Sequence, residues 1–160
     1  LINSSGTAVY VEDNFFITQP GVYSYDITGW ADLGTFDSLR FYIGLPDDIR
    51  QGNPSKVTEN QHPLSTTAMT YMYDSVSMGY QSCRLIAKQA NTGVDFDIKF
   101  LNYIPITLPC NITVVDGAAT NIQLRLDYMA LFNGVSFSND SPAVIQDKMV
   151  QNFKTAFSVY

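Results

Sequence analysis

Asp95 and Asp97 stand two residues apart in VDFDIKF, so on a strand their carboxyls share one face, roughly 6–7 Å apart by the strand rise. That spacing suits oxygen ligands for a calcium ion, or the two carboxylates of glycoside hydrolysis. Lys99 lies on the same face, and a solvated face carrying its own counter-charge is the plainer reading. Asp47 and Asp48 are adjacent in a polar loop, where the spaced aspartates of a calcium loop are missing; solvation and turn capping account for them. His62, the single histidine, has no Gly-x-Ser-x-Gly turn to serve and stands beside Pro63, which makes it a surface residue. Cys83 and Cys110 with one histidine do not complete a four-ligand zinc site. They are open to two readings, a disulfide closing a loop of about 26 residues or two free thiols. No catalytic, cofactor or metal constellation emerges, and the expectation is a protein that is not an enzyme.

Aromatic side chains offer a different chemistry. Trp30 and Tyr42 have flat faces that suit the apolar faces of pyranose rings, and with Asp47 and Asp48 they form the expected glycan contacts. Tyr23 and Tyr25 share a parity with Ile27, which assigns them to core packing.

The elements that must position these residues read as strands. Val94, Phe96, Ile98 and Phe100 alternate with Asp95, Asp97 and Lys99, one dry face against one charged face. Asn91-Thr92-Gly93 supplies a turn, and Arg84–Lys88 is the partner strand, which sets Cys83 near Lys99 rather than opposite Cys110. Further strands are expected over Thr7–Ile17, Val22–Ile27, Ser38–Leu45, Thr67–Val76, Asn111–Val115 and Asn121–Phe132. Over Ser38–Leu45, Leu39, Phe41 and Ile43 point inward and Arg40 and Tyr42 outward. Pro105 and Pro109 bracket the end of the long central strand. Residues 46–64 hold three prolines and no hydrophobic period, a long loop of the kind that carries contacts.

Only the tail changes period. Ser141 caps, Pro142 takes the first helical position, and Ile145, Met149, Phe153 and Phe157 recur every four residues. This stripe packs on its own sandwich or docks on a neighbouring subunit, and the four residues are the expected subunit contacts. The fold class is all-β: a jelly-roll β-sandwich of eight or nine antiparallel strands over residues 1–138, with one C-terminal α-helix over 139–160.

Composition narrows the partners. Aromatics at 13% favour strands, and 46% hydrophobic with 15% charged residues describes a packed chain. A net charge of −6 with nine Lys and Arg supplies no basic stripe for nucleic acid and no attraction to an anionic membrane. No apolar run reaches the length of a membrane-spanning helix.

Two stretches, Tyr25-Asp26-Ile27-Thr28-Gly29-Trp30 with Ser38-Leu39-Arg40-Phe41, and the expected closing strand Leu126-Asp127-Tyr128-Met129-Ala130-Leu131-Phe132, resemble carbohydrate-binding modules of the galactose-binding-like jelly-roll kind. The resemblance implies a jelly roll and a glycan ligand. Single jelly rolls are by architecture also a fold of viral capsids and spikes. The leading expectation is a non-enzymatic structural subunit of a virion (capsid, vertex, decoration or spike) that assembles with copies of itself or other structural proteins. The alternative is an extracellular carbohydrate-binding module used in adhesion.

Overall fold

The computed structural model describes residues 1–9, 18, 29–59, 62–69, 72–88, 93 and 95–160. The strands expected over Thr7–Ile17 and Val22–Ile27 lie largely outside the described residues, with Tyr23, Tyr25 and the Asn91-Thr92 turn. Among the described residues the chain is mainly β. Its strands are β1 (Gly34–Ile43), β2 (Tyr73–Asp74), β3 (Gly79–Tyr80), β4 (Cys83–Lys88), β5 (Asp95–Phe100), β6 (Ile104–Val114), β7 (Leu124–Leu126) and β8 (Phe157–Val159). They pair as four small, open, two-stranded sheets: β1 with β6, β2 with β3, β4 with β5, and β7 with β8. The helices are α1 (Asp47–Arg50), α2 (Thr66–Met69) and the long α3 (Pro142–Ala156).

Two compact units divide the chain: residues 1–39, 53–71 and 109–121 form the first, and 40–52, 72–108 and 122–160 the second. In the first unit Leu1, Ile2, Phe36, Leu64 and Ile112 are buried. Here Asp37 and Ser38 both donate their N–H to the Ile2 carbonyl, at 2.9 and 3.2 Å. Two residues facing one is a β-bulge, and it slips the side-chain alternation of β1 by one position. Phe36 is therefore buried at an even position, whereas Leu39, Phe41 and Ile43 turn inward at odd ones and leave Arg40 and Tyr42 outside, as their parity predicts.

The second unit has the larger core. The β4–β5 hairpin pairs Arg84 with Lys99 and Leu85 with Ile98, so Cys83 faces Phe100, one residue from the expected register. Its dry face (Phe96, Ile98, Phe100) meets Ile104, Ile106 and Leu108 of β6, and α3 closes the cluster with Ile145, Met149, Phe153 and Ala156. Each of the large apolar side chains contributes about 1.5–3 kcal/mol on burial. The helix begins as read, with the Ser141 hydroxyl accepting from the Val144 N–H and Pro142 in the first turn. Two donors on its flank fix it further: Asn152 donates to the Leu131 and Asn133 carbonyls, each at 2.9 Å, and Lys148 to Asp140 at 2.7 Å.

Four expected elements differ. Asn111–Val115 is not a separate strand, because β6 runs on through Pro105 and Pro109. Both prolines face outward, and among the described residues β6 pairs along one edge only, so an N–H missing on the other edge costs no ladder bond. The strand over Asn121–Phe132 stops at Leu126, because the Asp127 carboxylate accepts from the N–H groups of Met129 and Ala130 and winds the chain into a 3-10 turn at Ala130–Phe132. The segment before β2 is helical at α2 rather than extended, following a turn in which Leu64 donates to His62 Nδ1 and Ser65 to the His62 carbonyl. The helix α3 ends at Ala156, and Phe157 is extended (φ −100°, ψ 145°) because β8 pairs with β7, Phe157 opposite Leu126.

Candidate functional site

An open concavity of the second unit lies against outward side chains of the β1–β6 pair. Arg40 and Tyr42 of β1, Pro105, Ile106 and Thr107 of β6, and Lys154 of α3 line an open groove of about 600 Å3. Alternation places Arg40 and Tyr42 outward on one strand, and Pro105 and Thr107 outward on the other. The Arg40 Nε–H donates to Thr107 Oγ1 at 3.1 Å, which orients the guanidinium. Tyr42 stacks on Tyr103 with ring centroids 4.5 Å apart and planes 8° from parallel, and both rings stay open to water at 45% and 43% exposure. Lys154 donates to Gln151 Oε1 on its own helix at 3.3 Å. Neither Arg40 nor Lys154 pairs with a carboxylate among the described residues.

A second feature is the β2–β3 hairpin. Tyr73 packs edge-on against Tyr80 with centroids 5.1 Å apart, closing its base. Asp74 organises the tip by accepting from the Val76 N–H at 3.1 Å and the Ser77 hydroxyl at 3.0 Å, and it pairs with Lys99 of β5 at 3.4 Å. Those bonds, the Val76 N–H first, hold the Asp74 carboxyl below its ordinary value. What this scaffold carries outward is apolar: Val76 is 89% exposed and Met78 64%, and Met78 adopts a left-handed φ of 53°.

The residues singled out from sequence fall in both units. Trp30 is 84% exposed in the first unit, beside a shallow hollow with Ala8, Val9, Ala31 and Asp32. Tyr42, Asp47 and Asp48 belong to the second. Asp47 and Asp48 form the first turn of α1, and Asp47 takes two hydrogen bonds from Arg50, at 3.0 and 3.1 Å. Of the helical stripe, Ile145, Met149 and Phe153 are almost wholly buried in the core of their own unit, and Phe157 is half-buried against Phe41 at 4.9 Å between rings. Arg40, Thr107, Lys154 and Tyr103 were not anticipated as a set. Outward parity marked Arg40, but nothing local marks which residues of β6 and α3 come beside it.

The acidic face of β5 is neutralised within the hairpin. Arg84 forks onto Asp97 at 2.8 and 2.9 Å, and these bonds keep the Asp97 carboxyl ionised below the usual range. Asp95 lies 3.9 Å from Lys88. Cys83 and Cys110 are free thiols, which resolves the alternatives; burial pushes Cys83 up to about 11 and raises Cys110 as well. Among the described residues no three of His, Cys, Asp and Glu gather as a metal site, and no helix is long and apolar enough to cross a membrane.

Comparison with known proteins returns no match: no family model, no curated protein and no solved structure aligns with this chain.

Proposed function

We propose that this chain is a non-enzymatic structural subunit on a jelly-roll plan, which assembles with copies of itself or with other structural proteins at a virion or extracellular surface. The observation that carries this reading is the β2–β3 tip. An aromatic pair, an aspartate with two local hydrogen bonds and an ion pair hold Val76 and Met78 out in water. Apolar side chains held in an ordered, exposed position gain free energy when a partner covers them. The stripe of α3 is taken up by its own core, so the contact surface in this reading is the hairpin. Charge supports an outward place in the particle: the chain carries −6, and five of its nine cations (Arg50, Arg84, Lys88, Lys99 and Lys148) are paired with aspartates, which leaves no basic stripe for a packaged genome.

Native mass spectrometry and sedimentation of the wild type beside Val76→Asp and Met78→Asp test the reading. Both positions are exposed, so the variants keep the wild-type melting behaviour within about 0.5 kcal/mol. Wild type is expected to assemble and the variants to dissociate. A wild type that stays monomeric at millimolar concentration, or variants that assemble equally well, would end it.

A second reading, an extracellular carbohydrate-binding module, is favoured by one observation: the exposed Tyr42–Tyr103 stack at the rim of a groove.

A further inference from the structure

We propose that the groove between β1, β6 and α3 is a binding site for a saccharide bearing a carboxylate, with Tyr42 as the platform for the sugar ring and Arg40 and Lys154 as the receptors for its charge. The inference rests on the carbohydrate reading above and adds the ligand's charge and the residues that recognise it.

Electrostatics point to an anion. In a chain of net charge −6, most cations are consumed by neighbouring aspartates, yet Arg40 and Lys154 line one groove with no carboxylate partner among the described residues. Like charges facing a common space repel one another, and an anion between them relieves the repulsion. Arg40 is also held ready. Its Nε–H is engaged by Thr107 Oγ1, which fixes the guanidinium plane and leaves the terminal nitrogens as a fork that matches the two oxygens of a carboxylate. Lys154 adds a mobile point charge from the last turn of α3.

The rest of the lining identifies what carries the charge. A bare inorganic anion has no use for an aromatic wall. Tyr42 is clamped by Tyr103, almost parallel at 4.5 Å, so it presents a ring at little entropic cost to the C–H face of a pyranose. The Thr107 and Tyr42 hydroxyls offer further hydrogen bonds to sugar hydroxyls. A groove this open covers one side of a ligand, which fits a terminal or internal sugar of a longer chain. Nucleic acid, the other anionic polymer with flat faces, needs a longer row of cations than this surface provides.

The test is isothermal titration and amide-shift mapping of the intact chain with two matched probe pairs: tetragalacturonate against its methyl ester, and 3′-sialyllactose against lactose. The expected result is that at least one acid binds and shifts amides of β1 and β6. Its neutral counterpart is expected to bind roughly tenfold or more weakly, as losing a charge-assisted hydrogen-bonded contact implies. Arg40→Gln and Lys154→Gln, both at exposed positions, are expected to weaken the acid similarly, and several-fold more than they weaken its neutral counterpart, in a protein that still melts cooperatively. Equal binding of acid and neutral partner, or binding indifferent to Arg40→Gln and Lys154→Gln, overturns this inference and leaves the carbohydrate reading standing. Silence from all four probes overturns both.

Discussion

Replacing Ile145 with alanine measures directly where the helical stripe is used. Ile145 is fully buried, 0% exposed, among Ile98, Phe100, Leu131 and Met149. The substitution removes three carbons, about 2.4 kcal/mol at roughly 0.8 kcal/mol for each buried methylene. The cavity left behind adds to this, which brings the expected loss to about 3–4.5 kcal/mol. Val144 is the control one residue away. At 41% exposure it has little burial to lose, and alanine's helix propensity returns about half a kcal/mol, so Val144→Ala is expected within about 0.5 kcal/mol of wild type. Urea denaturation followed by far-ultraviolet circular dichroism gives both numbers, and repeating it over a hundredfold range of protein concentration shows whether the helix depends on a neighbour. An Ile145→Ala loss below about 1 kcal/mol, or a midpoint that moves with concentration, would refute an intramolecular core.

Two further outcomes follow from the charged and thiol groups. Asp97 is depressed chiefly by hydrogen bonds from Arg84, and Asp140 by that from Lys148. A folded value below the ordinary 3.8 means stability that is present above about pH 4 and is lost as pH falls through the depressed value. The urea midpoint between pH 5 and 2 should therefore fall less steeply in Asp97→Asn than in wild type, and coincident acid limbs would contradict the Arg84 fork. Cys83, pushed up to about 11 from 9.0, holds about a hundredfold less thiolate at pH 8 than an ordinary thiol. Iodoacetamide should label Cys83 correspondingly slowly in the native protein, whereas Ellman's reagent in guanidinium without reductant should count two thiols; fewer than two would mean a disulfide.

Periodicity made part of this fold legible. Along Asp95–Phe100 charged and apolar residues alternate one by one, and the strand segregates them as written because a β-residue's neighbours necessarily face opposite ways. The Ser141 cap and the stripe of α3 were readable for the same reason, since capping and a repeat near four residues are local properties of backbone geometry. Tyr42 was legible as an outward aromatic, but its partner Tyr103 was not.

What the chain order left open was decided by tertiary contact. A single carbonyl, that of Ile2, receives two N–H groups and shifts the parity of β1, an event between segments far apart in sequence. Asp127 outcompetes the strand ladder by bonding its own next turn, where propensity alone favoured extension. Pro105 and Pro109 signal a break only when every strand N–H is needed, and among the described residues β6 pairs along one edge, which removes that need. The groove of Arg40, Tyr42, Thr107 and Lys154 belongs to this second class. Sequence assigned each residue its type and its face, while pairing of β1 with β6 and docking of α3 brought those faces together, because proximity across a fold depends on which apolar surfaces find one another and not on spacing along the chain.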